Sequence, residues 1–104
     1  MFLYLTTKGW RTRASHRIEI WYVLHEGRYF LVSQYREAAH WVRNIKAHPK
    51  VTFEVGTDKF AGLGRVIDRD SEAKLALEVS RLMDEKYKWS DGLIVELRPE
   101  PGPL

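Results

Sequence analysis

The sequence predicts a small α+β barrel in which six mostly antiparallel strands carry two helices inserted between hairpins. Three observations lead there. Apolar and polar residues alternate in several short runs bounded by glycine, the period of half-buried strands. Two segments switch to helical spacing instead. The chain, at 104 residues and without a repeat or linker-like tract, has the length of one domain.

The elements follow in order. Phe2 to Leu5 is a short apolar strand, and Lys8 to Arg17 is a loop whose Lys8, Arg11, Arg13, His16 and Arg17 face no acid in the same stretch. From Arg17 to Leu24 a second strand is expected, with Ile18, Ile20, Tyr22 and Leu24 on its apolar face and Arg17, Glu19, Trp21 and Val23 on a mixed one. His25-Glu26-Gly27-Arg28 supplies a turn, and Tyr29 to Ser33 returns as the partner strand of a hairpin. Ala38, Trp41, Val42 and Ile45 recur at helical spacing between Glu37 and Ala47, and Pro49 stops that helix because it has no amide to donate.

Val51, Phe53 and Val55 then alternate with polar residues, Gly56-Thr57-Asp58 turns the chain, and Lys59 to Ile67 forms the second hairpin's return strand. Gly62 and Gly64 share one face of that strand and leave a flat patch, suited either to barrel curvature or to close approach of a ligand. Asp70 or Ser71 is placed to cap a longer helix reaching about Tyr87, with Leu75, Val79, Leu82 and Met83 as its buried stripe. Gly92 to Arg98 is the last strand. Pro99, Pro101 and Pro103 mark an extended tail.

Composition narrows the chemistry. Apolar residues make up 44% and aromatic residues 12%, too rich for disorder, and four tryptophans exceed what a core of this size usually needs. Some of these rings belong at an interface or a ligand face. A chain this short buries a modest core, so a partner subunit would help it. The absence of cysteine excludes disulfides, thiolate metal sites and cysteine nucleophiles. No leader and no apolar run of the ~20 residues a membrane span requires is visible, so the expected location is the cytoplasm. The net charge of +3 is compatible with phosphate ligands, nucleic acid or acidic membranes without choosing among them.

The loop from Lys8 to Arg17 repels itself, and folding alone does not require that, so a bound anion is expected there. Enzymatic alternatives are thin. His16, His25, His40 and His48 lack the spacing that puts two imidazoles on one metal, and no metal site is expected. Ser15 beside His16, and Ser33, do not make a nucleophile elbow, and the Gly-Lys-Ser/Thr order of a Walker loop is missing. What remains is an anion-and-ring site. Arg11, Arg13 and Arg17 offer forked donors to phosphate, and Ser33, Gln34, Tyr35 and Arg36 offer polar groups at the start of the short helix. Trp41 offers a flat surface to a ring, though its spacing suits plain core equally well. Such a ligand is a nucleotide-like cofactor or a nucleic acid.

These residues also fit a known pattern. Thr6-Thr7-Lys8-Gly9-Trp10-Arg11-Thr12 resembles the Thr-Thr-x-Gly-Arg-Lys-Ser/Thr-Gly opening of the deazaflavin-dependent nitroreductase family, within the flavin-binding split-barrel group that includes pyridoxamine phosphate oxidases. The likeness continues through Arg17 to Tyr22 and Gly27 to Ser33. It continues again from Trp41 to Thr52, which is similar to Trp-x-x-Asn-Leu-x-Ala-Asn-Pro-x-Val. Arg13 stands where that pattern has glycine.

The resemblance implies an α+β fold, a six-stranded antiparallel split β-barrel with two inserted helices, usually a homodimer holding FMN or the 5-deazaflavin coenzyme near the subunit interface. By position, Arg11, Thr12, Arg13 and Arg17 would hold phosphate, and Ser33, Gln34, Tyr35 and Arg36 would line the cofactor. Trp41 would lie near the ring, and Tyr87 or Trp89 would close over the substrate. The implied activity is hydride transfer from the cofactor to a small quinone- or nitroaromatic-like acceptor. The alternatives are a flavin-binding protein without turnover and a nucleic-acid binder using Trp10 and Trp21 beside basic residues.

Overall fold

A single residue, Tyr22, separates the two strands that form opposite edges of the sheet. In the computed structural model, which describes residues 1–101, β2 (Ser15–Trp21) pairs with β1 (Phe2–Lys8), while β3 (Val23–His25) pairs with β4 (Arg28–Ser33). The remaining strands are β5 (Lys50–Val55), β6 (Asp58–Val66) and β7 (Leu93–Pro99), and the order across the sheet is β2-β1-β5-β6-β7-β4-β3. Every pairing is antiparallel. Because the edges are consecutive in sequence, the sheet must curl until β2 and β4 approach each other, leaving an open seam along β2.

The sheet therefore has seven strands where six were expected, since the run from Arg17 to Leu24 divides at Tyr22. The strict alternation also fails at that point. Tyr22 and Val23 are both buried, and Leu24, assigned to the apolar face, is 56% exposed. The reason is the change of partner: as the chain leaves β1 for β4 it turns its faces over, so two neighbouring side chains point inward.

Two apolar clusters occupy opposite faces of the sheet. Inside the curl, Leu3, Leu5, Leu31, Phe53, Val95 and Leu97 pack with Val42 and Ile45 of helix α1 (His40–Ala47). On the other face, Phe30, Val32 and Ile94 pack with Ala76, Val79 and Met83 of helix α2 (Ala73–Tyr87). β4 and β7 are apolar at consecutive positions because both of their faces are covered. Gly62 and Gly64 serve packing: a Cβ on Gly62 would lie 2.4 Å from the Arg98 carbonyl oxygen, and one on Gly64 would lie 3.0 Å from Ile45.

Several boundaries differ from expectation. β1 runs on to Lys8 and β2 starts at Ser15, so the basic loop is only the residues between them. The first helix is a short 3₁₀ turn (Arg36–Ala38) followed by α1, because Ala39 is extended and caps α1. α2 is preceded by Glu72 rather than by Asp70 or Ser71. There the Asp68 carboxylate accepts the Asp70 amide at 2.9 Å, and Arg65 holds Glu72 through two hydrogen bonds of 2.7 and 2.8 Å. Pro99 ends β7, and Pro103 lies outside the described residues. Among the described residues, no helix is long and apolar enough to cross a membrane.

Candidate functional site

Two cavities lie side by side along β2, one taking in Ile18 and the other Ile20, and Trp41 of α1 forms a wall of both. The first, of about 590 Å³, is polar and basic, lined by Gly9, Trp10, Arg11, Thr12, Ser15, His16, Arg17, His40 and Asn44. No acidic residue lines it. The second, of about 520 Å³, is walled by Phe2, Trp21, Trp41, Met83, Tyr87 and Trp89, with Ser33, Gln34 and Tyr35 at one side and Glu19 its only charged residue. Charge and aromatic surface are thus segregated along one strand, an arrangement suited to a ligand with an anionic end and a flat ring.

The basic cavity owes its shape to a tightly folded loop. The Gly9 amide donates to the Ala14 carbonyl at 2.7 Å and the Arg13 amide to the Gly9 carbonyl at 3.0 Å. A side chain on Gly9 would place its Cβ 2.9 Å from His16 Nε2 and 3.1 Å from Thr12 Oγ1, so only glycine fits there without displacing residues that line the cavity. Arg13 adopts φ 65°, the left-handed conformation that glycine occupies at least cost. The family pattern's glycine thus corresponds to a conformational requirement that Arg13 meets under strain. Its side chain lines neither cavity.

The other expected residues divide. Arg11 and Thr12 line the basic cavity, and the Arg11 guanidinium rests over the Trp10 indole at 4.6 Å. Arg17 also lines it, but its guanidinium donates to Glu54 at 2.8 Å and lies over the Tyr4 ring, so its charge is partly neutralised. Ser33, Gln34 and Tyr35 border the aromatic cavity. The Ser33 hydroxyl is already used, donating to the Arg36 carbonyl at 2.9 Å and fixing the turn into the 3₁₀ segment. Arg36 lines neither cavity and pairs with Asp91 at 3.0 Å.

Trp41 sits at the junction of the cavities, half-buried against the inner cluster, so it serves packing and site together. Tyr87 and Trp89 both line the aromatic cavity. The Tyr87 hydroxyl lies 2.6 Å from the Tyr22 carbonyl and 3.0 Å from the Met1 carbonyl, both acceptors for its proton. Burial pushes the Tyr87 phenol above its ordinary range, the Tyr22 hydrogen bond opposing this only in part.

Sequence reasoning missed Asn44 and His40 as site residues, and offered His16 only as part of the basic loop and Trp21 only to a nucleic-acid reading. Asn44 is 3% exposed, and its side chain joins the loop to both α1 and β1. Its signal was present as the asparagine three residues after Trp41 in the family-like segment. Trp21 is expected on the mixed face of its strand, and at the end of β2 it lines the aromatic cavity. Among the described residues, no three histidines, cysteines or carboxylates gather as a metal would require.

The sequence profile of the F420H(2)-dependent quinone reductase family matches residues 1–92. A comparison with curated proteins finds no match. Among solved structures, the heme storage protein HutZ from Vibrio cholerae superposes with a TM-score of 0.76 at 22% identity, over 97% of this chain and 82% of that one. A pyridoxamine 5'-phosphate oxidase candidate from Listeria innocua gives 0.70 at 14% identity, over 95% and 83%. An F420-H2 dependent reductase gives 0.64 at 23% identity, over 93% of each chain. At these identities the likeness to solved structures is one of fold.

Proposed function

The chain belongs to the F420H(2)-dependent quinone reductase family, and from that premise we propose that it is a deazaflavin-dependent oxidoreductase that reduces a neutral, planar acceptor such as a quinone or nitroaromatic. The observation that carries this reading is the pairing of an acid-free basic cavity with an aromatic one through the shared wall of Trp41. The donor set fits a deazaflavin coenzyme: Arg11, Thr12 and Arg17 would hold its phosphate, and Trp41 and Trp21 would offer apolar walls to its ring. Bound there, the coenzyme supplies the hydride.

The protein's part is orientation and exclusion of water. The basic loop anchors one end of the ligand, so the ring enters the aromatic cavity in one direction. Ser33, Gln34 and Tyr35, at one side of the cavity, would meet polar atoms of the ring system, and Tyr87 and Trp89 would face the acceptor. The lining lacks any constellation that would activate a nucleophile, and hydride transfer needs none. FMN is the second candidate for the same cavities, since it too joins a phosphate to a flat ring. A second copy of the chain is expected over Phe2, Tyr4 and Trp21, which lie 50%, 40% and 38% exposed on neighbouring strands.

Titration of the purified protein with deazaflavin coenzyme and with FMN, following tryptophan fluorescence, tests the reading, because Trp21, Trp41 and Trp89 line the ring cavity. Binding of the deazaflavin below about 100 μM, with oxidation of its reduced form by a quinone, is expected. Binding without oxidation would make the protein a carrier. Binding of neither cofactor, with salt-sensitive binding of single-stranded nucleic acid, would make the basic loop a nucleic-acid surface.

A further inference from the structure

We propose that Asn44 is a positioning residue that fixes the distance between the anion end and the ring end of the cleft; this rests on the cofactor reading above. Its carboxamide oxygen accepts the Trp10 amide at 2.9 Å, and its nitrogen donates to Thr7 Oγ1 at 3.0 Å. Asn44 and Thr7 are 3% and 2% exposed, so the bond between them is shielded from bulk water, and the bond to the Trp10 amide is part-buried. One side chain therefore ties three elements together: the anion loop, β1 and α1.

Its location gives the tie a purpose. Trp41 lies three residues earlier on α1, so the wall shared by both cavities and the clamp on the loop stand on the same helical face. The loop's internal hydrogen bonds set its shape but not its placement on the barrel. The Trp10 amide bond to Asn44 places Arg11 and Thr12 relative to Trp41. A ligand that spans both cavities gains from that fixed spacing, because each end is delivered to its contacts without further ordering of the chain. A ligand that fills only one cavity gains nothing from it.

The test compares FMN with riboflavin, and the deazaflavin coenzyme with its phosphate-free ring fragment, by equilibrium fluorescence titration. The proteins are wild type, Asn44→Ala, Thr7→Val and Thr7→Ser. Thr7 lines neither cavity of the cleft, so Thr7→Val acts on it only by leaving the Asn44 amide without its partner. In Asn44→Ala, the preference for the phosphate-bearing ligand over its phosphate-free counterpart is expected to fall about tenfold. In Thr7→Val it falls about threefold, Thr7→Ser restores it, and affinity for the ring fragments stays unchanged. Faster hydrogen exchange at the Trp10 amide accompanies the loss and can be read without any ligand. Equal loss for both members of each pair, or an unchanged Trp10 amide in Asn44→Ala, would overturn the proposal. Failure of the wild type to bind any of the four ligands overturns the cofactor reading instead, and the positioning role falls with it.

Discussion

The indole of Trp21 and the phenol of Tyr87 lie face to face, with ring centroids 4.6 Å apart and planes 7° from parallel. This contact joins the end of β2 to the last turn of α2 across the open seam, and both rings line the aromatic cavity. The tyrosine hydroxyl continues the connection to the Tyr22 carbonyl, at the residue where the sheet changes edges. Tyr87→Phe keeps the stack and loses the hydrogen bond, so it should cost about 1 kcal/mol of stability by urea denaturation. Tyr87→Ala removes both and should cost about 3 kcal/mol.

The same tyrosine sets an alkaline limit. Burial raises the Tyr87 phenol above its ordinary range, and burial raises Tyr29 likewise, with Tyr22 and Asp58 adding to that shift. A raised folded-state value means that, above the unfolded value near 10, the native state holds protons that the unfolded chain has lost. The stabilisation is complete below about pH 10 and disappears as pH rises through the folded-state values. Urea midpoints measured from pH 8 to 11 should decline at the top of the range, and less steeply in Tyr87→Phe.

The basic loop separates charge from conformation at two neighbouring positions. Arg11→Glu puts an acid into the basic cavity and should weaken binding of the proposed cofactor at least tenfold without unfolding the protein. Arg13→Gly should leave binding intact and change stability by less than about 1 kcal/mol, because relief at φ 65° offsets the added freedom of the unfolded chain. Arg13→Val cannot adopt that conformation cheaply and should cost about 2 kcal/mol.

Glu96 is 1% exposed on β7, with Arg28 at 2.7 Å and Arg65 at 3.1 Å, and Arg65 continues to Glu72 before α2. Replacing it by alanine leaves two arginines facing a site built for an anion. Glu96→Ala should cost about 3 kcal/mol in chemical denaturation, more than a surface pair could contribute.

The division of the second strand at Tyr22 has a direct test. Val23→Ala should cost about 2 kcal/mol because Val23 is buried against the outer cluster, whereas Leu24→Ser should change stability by under about 0.5 kcal/mol. An uninterrupted strand following the original alternation would reverse these effects.

What the amino-acid sequence by itself determined is local. The alternation of Val51, Phe53 and Val55, the helical spacing of Val79 and Met83, and the acid-free loop around Arg11 each depend on near neighbours, and each corresponds to an observed element. The family-like segments extended this to the fold and to Arg11, Thr12 and Trp41 as wall residues. Tertiary structure decided what near neighbours cannot. It made Tyr22 the crossing point between two sheet edges, withdrew Arg36 and Arg13 from the cleft, committed the Ser33 hydroxyl to a turn, and drew Asn44 against Trp10, 34 residues away. The physical reason is that hydrophobic periodicity records only whether a position faces inward. Which strand closes the curl, and which donors remain for a ligand, follow from partners distant in sequence that meet only when the sheet has closed.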